Sequence, residues 1–362
     1  MSAEAAANTP LCPHCQQCNP TEKNNFVLLT GTSNPQLAIN VGKNLKQAVF
    51  SGIREPHSDG EIDPKIPISV RRKNVYIIQS TCGPNINSSI LELALMIRTA
   101  QEADANEITA IIPHFAYARS DKKNESRVPI GARMIAEILE LAGATRIVTM
   151  DLHNRATEAT VNKARWINLF VSRLFIPVIE SLAYDEVTIC ATDAGGLKMA
   201  RWFRNALRDS GKVNVSPDVQ AADKYRELGV KDKSYSSMPQ ADYKDRNFIL
   251  VDDMLSSGGT MVSPAVDLMK MGAKSVGGIV THALWTGKAV ENVAKSPLKF
   301  LYVTDTVPQP KAALELPIVQ QISIAPMLAD VINCIEYGKS VDDLFMKASY
   351  QEKPISPLYD PC

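Results

Sequence analysis

The sequence contains no apolar run of the roughly 20 residues that a membrane-spanning helix needs. Its first ten residues, MSAEAAANTP, lack the basic start and the apolar core of a signal peptide. Lysine plus arginine and aspartate plus glutamate each number 39, so the net charge is zero and no basic surface for nucleic acid is indicated. These absences predict a cytoplasmic protein that binds neither membrane nor nucleic acid.

Two common nucleotide-binding signatures are missing as well. No G-x-G-x-x-G follows a predicted strand, which argues against a dinucleotide-dependent dehydrogenase. The tripeptide GKS at residues 338–340 is similar to the end of a Walker loop. The first glycine of such a loop would fall on Asn333, inside a predicted helix. Any phosphate site must therefore be built from a different pattern.

Three of the seven cysteines lie in the segment CPHCQQC. Cys12, Cys15 and Cys18, with His14 among them, suggest a zinc site, but no second pair of ligands follows nearby. A mobile tail is therefore favoured over a metal site. The odd total of seven and the scatter of the cysteines indicate free thiols in a reducing compartment.

The sequence does contain a regular alternation of short apolar runs and longer amphipathic segments. With 362 residues, of which 45% are apolar and 22% charged, two domains of ordinary size are predicted. The runs FVLLT, NVYIIQS, ITAIIP and RIVTM predict strands, with helical segments between them. This order predicts an α/β fold in which a mainly parallel sheet is flanked by helices. The pattern restarts after a junction between Asp151 and Val178.

The expected organisation has four parts: a flexible tail over residues 1–25, domains over residues 26–168 and 169–350, and a tail over residues 351–362. Helical spacing after the first strand extends to Phe50. Long polar interruptions in compact α/β domains are commonly functional. Three of them are predicted, at residues 51–67, 114–129 and 218–246.

The segment NFILVDDMLSSGGT, residues 247–260, places two acids at the end of a predicted strand and small residues directly after them. In a parallel sheet, ligands bind at the carboxyl ends of the strands. The small loop and the helix beginning near Thr260 form a predicted phosphate site. Asp252 and Asp253 would accept hydrogen bonds from hydroxyl groups, so a sugar phosphate satisfies both features. The alternative is a simple turn in which the acids are helix caps.

This segment resembles the phosphoribosyl-diphosphate motif of the type I phosphoribosyltransferase fold. Together with five other segments, it resembles the ribose-phosphate diphosphokinase family from about Phe26 to Phe345; the five are YARSDKK, TMDLH, DAGGLK, THALWTG and SDGEI. The resemblance implies two tandem phosphoribosyltransferase-like domains. It also implies transfer of the diphosphate of ATP to the C1 hydroxyl of ribose 5-phosphate, giving phosphoribosyl diphosphate and AMP.

The resemblance assigns roles to the positions of these motifs. Ribose 5-phosphate would be bound by the acid pair and its loop: Asp252, Asp253, Ser256, Ser257, Gly258, Gly259 and Thr260. ATP would be bound by two segments of the first domain: His57, Asp59, Glu61, Arg119, Ser120 and Asp121. Mg²⁺, the implied cofactor, would be held by Asp151, His153 and Asp193. Lys224 and Arg226 would be catalytic, closing over the transferring diphosphate.

Local alternatives stay open for several of these residues. Asp193 also fits a helix N-cap, and His153 also fits a histidine that is satisfied at the end of a strand. Lys224 and Arg226 also fit an ordinary soluble loop. The chain departs from the family's usual Phe, Gln and Asp at three positions, namely His57, Ser120 and Ser256.

The resemblance also implies a homo-oligomer, because in this family the adenine loop of one subunit serves its neighbour; a hexamer is compatible with it. The segment after MDLH lacks the usual Gly-Phe-Phe-Asp stretch, which indicates regulation nearer the phosphate-independent class. Two other functions stay open. One is a non-catalytic associated subunit of the same family, which Ser256 and His57 keep open, although the retained Lys224, Arg226, His153 and acid pair favour an active enzyme. The other is a phosphoribosyltransferase, which would have no use for YARSDKK or SDGEI.

Overall fold

The computed structural model describes residues 11, 25–226, 234–239, 241, 243–342 and 344. The cysteine cluster at residues 12–18 and the predicted C-terminal tail lie outside these ranges. For residues 223–226 and 234–236 only the backbone is described, so the side chains of Lys224 and Arg226 also lie outside. Within the described part of the chain, no helix is both long enough and apolar enough to cross a membrane.

The chain divides into two compact units. The first contains the described residues up to Leu169, together with Thr306–Pro308 and Ile324–Lys339. The second contains Phe170–Asp305, Gln309–Ser323 and the described residues after Lys339. Most of each unit is therefore continuous in sequence, and a late segment of the chain returns to the first unit.

The first unit is built on one parallel sheet. Its strands are β1 (Phe26–Thr30), β2 (Val49–Ser51), β3 (Asn74–Ile78), β4 (Ile108–Ile112), β5 (Arg146–Met150) and β6 (Arg165–Leu169). Its first three helices are α1 (Pro35–Leu45), α2 (Ile86–Glu102) and α3 (Gly131–Ala142). The strands pair in the order β2-β1-β3-β4-β5-β6, all parallel.

The second unit contains a second sheet of the same kind. Its helices are α4 (Ser172–Ser181), α5 (Leu197–Ser210), α6 (Gly259–Lys270), α7 (Ala289–Ala294) and α8 (Lys311–Leu314). Its strands are β7 (Val187–Ala191), β8 (Val215–Ala221), β9 (Asp223–Arg226), β10 (Ser234–Ser237), β11 (Asn247–Leu255), β12 (Ser275–Ala283), β13 (Leu301–Thr304) and β14 (Val319–Ile322). Six are parallel in the order β14-β13-β12-β11-β7-β8, and β9 pairs antiparallel with β10. The predicted α/β fold with mainly parallel sheets is confirmed.

The closing helix, α9 (Ala325–Glu336), belongs to the first unit. Its last residue, Glu336, accepts hydrogen bonds from Asn74 Nδ2 at 2.8 Å and from Tyr76 Oη at 2.6 Å, both on β3. Tyr76 is 1% exposed, so the contact with Glu336 also satisfies a buried hydroxyl group. These bonds attach the end of the helix to the first sheet.

Local sequence accounts for most of these elements. Strands β1 and β4 are buried along their whole length, as continuous apolar strands of a covered parallel sheet should be. Helix α3 ends at Gly143, whose φ of 119° lies in the left-handed region that glycine adopts without strain. The end of α3 and the centres of β1 and β4 were therefore predictable from short stretches of sequence.

The structure corrects the secondary-structure prediction in three places. The helical spacing extended to Phe50, but α1 ends at Leu45 because Lys46 is left-handed, with a φ of 54°, and β2 follows. Strand β6 and helix α4 occupy the region treated as a junction. Strand β8 begins before the long polar interruption and runs into it. It is an edge strand containing Pro217, which leaves only a weak apolar signal.

Candidate active site

The two acids of the phosphate motif lie inside β11 rather than at its end. Strand β7 pairs with β11 as far as the Ala191–Val251 pair, whereas β11 continues to Leu255. Asp252 therefore lies beside the segment that leaves β7. Thr192, 2% exposed, donates a hydrogen bond through Oγ1 to Asp252 Oδ2 at 2.6 Å.

Asp252 has an electrostatic environment unlike that of an ordinary aspartate. Burial is the main reason that its pKa is raised well above the usual range, and the charge of Asp253 raises it further. The hydrogen bond from Thr192 acts in the opposite direction. Because Asp252 retains its proton more readily, the acid pair repels a nearby phosphate less than two free carboxylates would.

The loop after β11 presents its backbone N–H groups. Helix α6 begins at Gly259, and Gly258 before it has a φ of 83°, a conformation suited to glycine. No side chain caps this helix, and its first turn contains no acid. Within the described ranges, the backbone N–H groups of Ser257, Gly258, Gly259 and Thr260 have no hydrogen-bond acceptor. Such a row of donors at the positive end of a helix suits an anion.

Asp193 has the conformation of an N-cap. Its Oδ1 accepts a hydrogen bond from Gly196 N at 3.0 Å, at the start of the short 3-10 helix Ala194–Gly196. The alternative role foreseen for Asp193 is therefore present in the structure. This contact uses one of the two carboxylate oxygens of Asp193.

In the first unit, the YARSDKK segment forms a turn whose base is closed by Ser120. Ser120 Oγ accepts from Gly131 N at 3.0 Å and donates to the carbonyl of Pro129 at 3.3 Å. The hydroxyl therefore holds the loop together where it leads into α3. Arg119 is exposed.

Asp121 connects this loop with the segment after β5. Its Oδ2 accepts a hydrogen bond from Asn154 Nδ2 at 2.5 Å, and Asn154 Oδ1 accepts from Ala156 N at 3.0 Å. Asn154 directly follows His153. The structure thus brings together two motifs that lie more than 30 positions apart in the sequence.

The two predicted metal ligands after β5 differ in accessibility. His153 is exposed, whereas Asp151 is 5% exposed and has a positive φ of 37°. His153 is therefore the better placed of the two to reach a metal carried by a nucleotide. In the described part of the chain, no group of three or more His, Cys, Asp or Glu could hold a metal ion.

The predicted adenine loop is an exposed turn. His57, Asp59 and Glu61 are all exposed, and the turn is closed by a hydrogen bond from His57 N to the carbonyl of Glu61 at 2.9 Å. Asp59 Oδ1 accepts from Glu61 N at 3.1 Å. At the base, Arg54 and Asp63 form an ion pair at 2.6 Å. The tip of the turn therefore presents its polar side chains outward.

Comparisons with known proteins agree with the pattern of motifs. Residues 26–143 match the family described as the N-terminal domain of ribose phosphate pyrophosphokinase, and residues 204–346 match the phosphoribosyl synthetase-associated domain. The ribose-phosphate pyrophosphokinase of Campylobacter jejuni is 36% identical over 321 residues, which cover 89% of this chain and 99% of that protein. The chain belongs to the ribose-phosphate pyrophosphokinase family.

Further relatives of this family extend the comparison. Ribose-phosphate pyrophosphokinase A of Dictyostelium discoideum is 34% identical over 318 residues, covering 88% of this chain and 97% of that protein. The crystal structure of phosphoribosylpyrophosphate synthetase from Mycobacterium smegmatis matches with a TM-score of 0.77 and 30% identity. It covers 87% of this chain and 100% of that one. The resemblance drawn from the motifs is confirmed, while the roles of single side chains stay predictions.

Three side chains of this pyrophosphokinase-family site were missed from the sequence. Thr192 contacts Asp252, and its signal was a polar residue directly after the apolar run of β7. Asn154 contacts Asp121, and its signal was its position next to MDLH. Asn292 contacts the phosphate loop, and no local pattern marks it. All three act by holding a predicted site segment in place.

Proposed function

We propose that this chain is a ribose-phosphate diphosphokinase, which transfers the diphosphate of ATP to the C1 hydroxyl of ribose 5-phosphate and releases AMP. The observation that carries the proposal is the loop after β11. It offers four successive backbone N–H groups, and carboxyl groups precede it in the same strand. That combination suits a phosphate at one end of a sugar and hydroxyl groups at the other.

Ribose 5-phosphate would be bound entirely by the second unit. The N–H groups of Ser257 to Thr260 would donate to the 5-phosphate oxygens. Asp253 and Asp252 would accept hydrogen bonds from the ring hydroxyl groups, although Thr192 already donates to one oxygen of Asp252. The raised pKa of Asp252 favours this arrangement, because the protonated form does not repel the phosphate.

ATP would be bound by the first unit. The exposed guanidinium of Arg119 suits the phosphates, and the contact between Asp121 and Asn154 keeps its loop near His153. Mg²⁺ usually retains several waters and takes one or two protein ligands plus substrate phosphates. Exposed His153 would supply one such ligand from the first unit, and buried Asp151 would support it. Asp193 stays a further ligand that the resemblance to the family implies. The bound ion would neutralise phosphate charge.

Two further parts of the proposal concern catalysis and assembly. Lys224 and Arg226 would stabilise the charge that develops on the transferring diphosphate. The adenine loop, with His57, Asp59 and Glu61 exposed, would serve a neighbouring subunit, which makes the active form a homo-oligomer. Its size is measured directly by light scattering.

The decisive experiment measures AMP. Purified protein is incubated with ribose 5-phosphate, Mg²⁺ and ATP, with and without inorganic phosphate, and a sample without ribose 5-phosphate controls for ATP hydrolysis. We expect AMP that depends on ribose 5-phosphate in both conditions. If neither condition yields AMP, the enzyme proposal fails, and the non-catalytic associated subunit becomes the better interpretation.

A further inference from the structure

Hydrogen bonds to the carbonyl oxygens of the phosphate loop hold its peptide groups, on the side opposite the N–H groups. The carbonyl of Ser256 accepts a hydrogen bond from Thr286 N at 3.0 Å, and the carbonyl of Gly258 accepts from Val262 N at 2.9 Å. In a planar trans peptide the N–H points away from the C=O. A fixed carbonyl therefore fixes the direction of the following N–H, here those of Ser257 and Gly259.

The peptide between these two is held by a side chain instead of the backbone. Asn292 Nδ2 donates to the carbonyl of Ser257 at 2.8 Å. The following N–H belongs to Gly258, whose positive φ already gives the chain a conformation that few other residues adopt. A Cβ built on Gly258 would lie 3.7 Å from Asn292 Cβ, so the loop rests against α7 at this point.

We propose that Asn292 is a positioning residue for the ribose 5-phosphate site, holding the Ser257–Gly258 peptide so that the Gly258 N–H is directed at the 5-phosphate. This inference rests on the proposed function. Asn292 is a neutral donor, so it can hold a carbonyl next to an anion without repelling that anion. A carboxylate at this position would repel the anion. A lysine or arginine here would bind the phosphate itself.

A role only in stabilising helix α7 explains Asn292 less well. Asparagine is unfavourable inside helices, because its side chain competes for backbone hydrogen bonds. In α7 its amide does not bond within the helix but reaches a carbonyl 35 residues away. The amide orientation follows from chemistry, since a carbonyl oxygen can only accept.

The test compares two substitutions that remove the donor. Asn292→Leu retains the approximate size, and Asn292→Asp retains the shape but places an acceptor against a carbonyl. One net hydrogen bond predicts a rise in KM for ribose 5-phosphate of about threefold to tenfold for Leu, and a larger rise for Asp. Because the phosphate is bound alike before and during the reaction, kcat should stay within about twofold. KM for ATP should not change.

A matched control uses the same substitution elsewhere. Asn44 is an exposed helical asparagine whose Nδ2 donates to the carbonyl of Asn40 at 2.9 Å, within its own helix. Asn44→Leu should leave both KM values at the wild-type level. If the Asn292 variants also leave KM for ribose 5-phosphate unchanged, or raise both KM values together, the inference is wrong.

Calorimetric titration with ribose 5-phosphate, without ATP, separates this inference from the proposed function. A wild-type protein that makes no AMP refutes the proposed function, but weaker ribose 5-phosphate binding by the Asn292 variants than by wild type and Asn44→Leu would still support the inference. Equal affinity in all four proteins overturns it. A wild-type protein that does not bind ribose 5-phosphate overturns both.

Discussion

Replacing Thr192 by valine removes one hydroxyl group from the centre of the second unit and changes the side-chain shape very little. Thr192 is 2% exposed, and its hydroxyl group donates a hydrogen bond to Asp252 Oδ2 at 2.6 Å. The other donor to the same oxygen, Thr260 Oγ1, is 3.5 Å away, at the limit of a hydrogen bond. The variant therefore leaves a partly buried carboxyl oxygen with one weak contact.

The magnitude follows from the charge of the acceptor. A hydrogen bond to a charged group contributes about 1.5–3 kcal/mol, and one to a neutral group about 1 kcal/mol. For a unit of this size, 1 kcal/mol shifts the unfolding midpoint by about 2–4 °C. We expect Thr192→Val to melt roughly 2–12 °C below wild type at neutral pH.

The loss should depend on pH in a definite direction. Burial, and then the charge of Asp253, raise the pKa of Asp252 in the folded protein, so folding favours its protonated form. Stability from this group is therefore full below the unfolded pKa and is lost as pH rises toward the folded pKa. Removing the Thr192 hydroxyl raises the folded pKa of Asp252 further. The valine variant and wild type should therefore differ least at about pH 4, and the difference should widen as pH rises through the raised folded pKa of Asp252, up to the highest pH at which both proteins stay folded.

The assay is thermal unfolding in EDTA without ligands, with Thr192→Ser as the control. Serine retains the hydroxyl, so it should recover most of the loss, apart from a methyl group. The reasoning is refuted if valine melts within about 1 °C of wild type both at about pH 4 and at the highest pH at which both proteins stay folded, or if serine loses as much as valine.

Other substitutions test the remaining parts of the site. Lys224→Ala should lower kcat by about a hundredfold or more if the lysine stabilises the transferring diphosphate, and a loss of only a few-fold in an AMP assay would contradict that role. Gly258→Ala should lower the unfolding free energy by about 1–2 kcal/mol through its φ of 83°, because the nearest atom to the added Cβ is 3.6 Å away and leaves room for it. A denaturant titration showing unchanged stability would count against this. Asn154→Ala should raise KM for ATP a few-fold by releasing Asp121, with KM for ribose 5-phosphate unchanged; steady-state kinetics showing equal effects on both substrates would contradict it.

The family and the fold class were determined by the sequence alone, and the sequence also predicts where a phosphate loop should lie. Continuous apolar runs predict strands such as β1 and β4, and the glycine after α3 predicts the end of that helix. The loop after β11 consists of adjacent residues, so its composition already indicates an anion site. Such features depend on neighbours in the chain, which the sequence shows directly.

Only the tertiary structure decided which side chains hold those segments in place. Thr192 reaches Asp252 because β7 and β11 are adjacent and parallel and β11 extends past the end of β7. Asn292 reaches Ser257 because α7 packs beside the phosphate loop. These pairs lie 60 and 35 residues apart, and each depends on how elements distant in sequence pack against one another. Local patterns carry no information about either, because a strand or a helix forms from its own residues whichever neighbour it later meets.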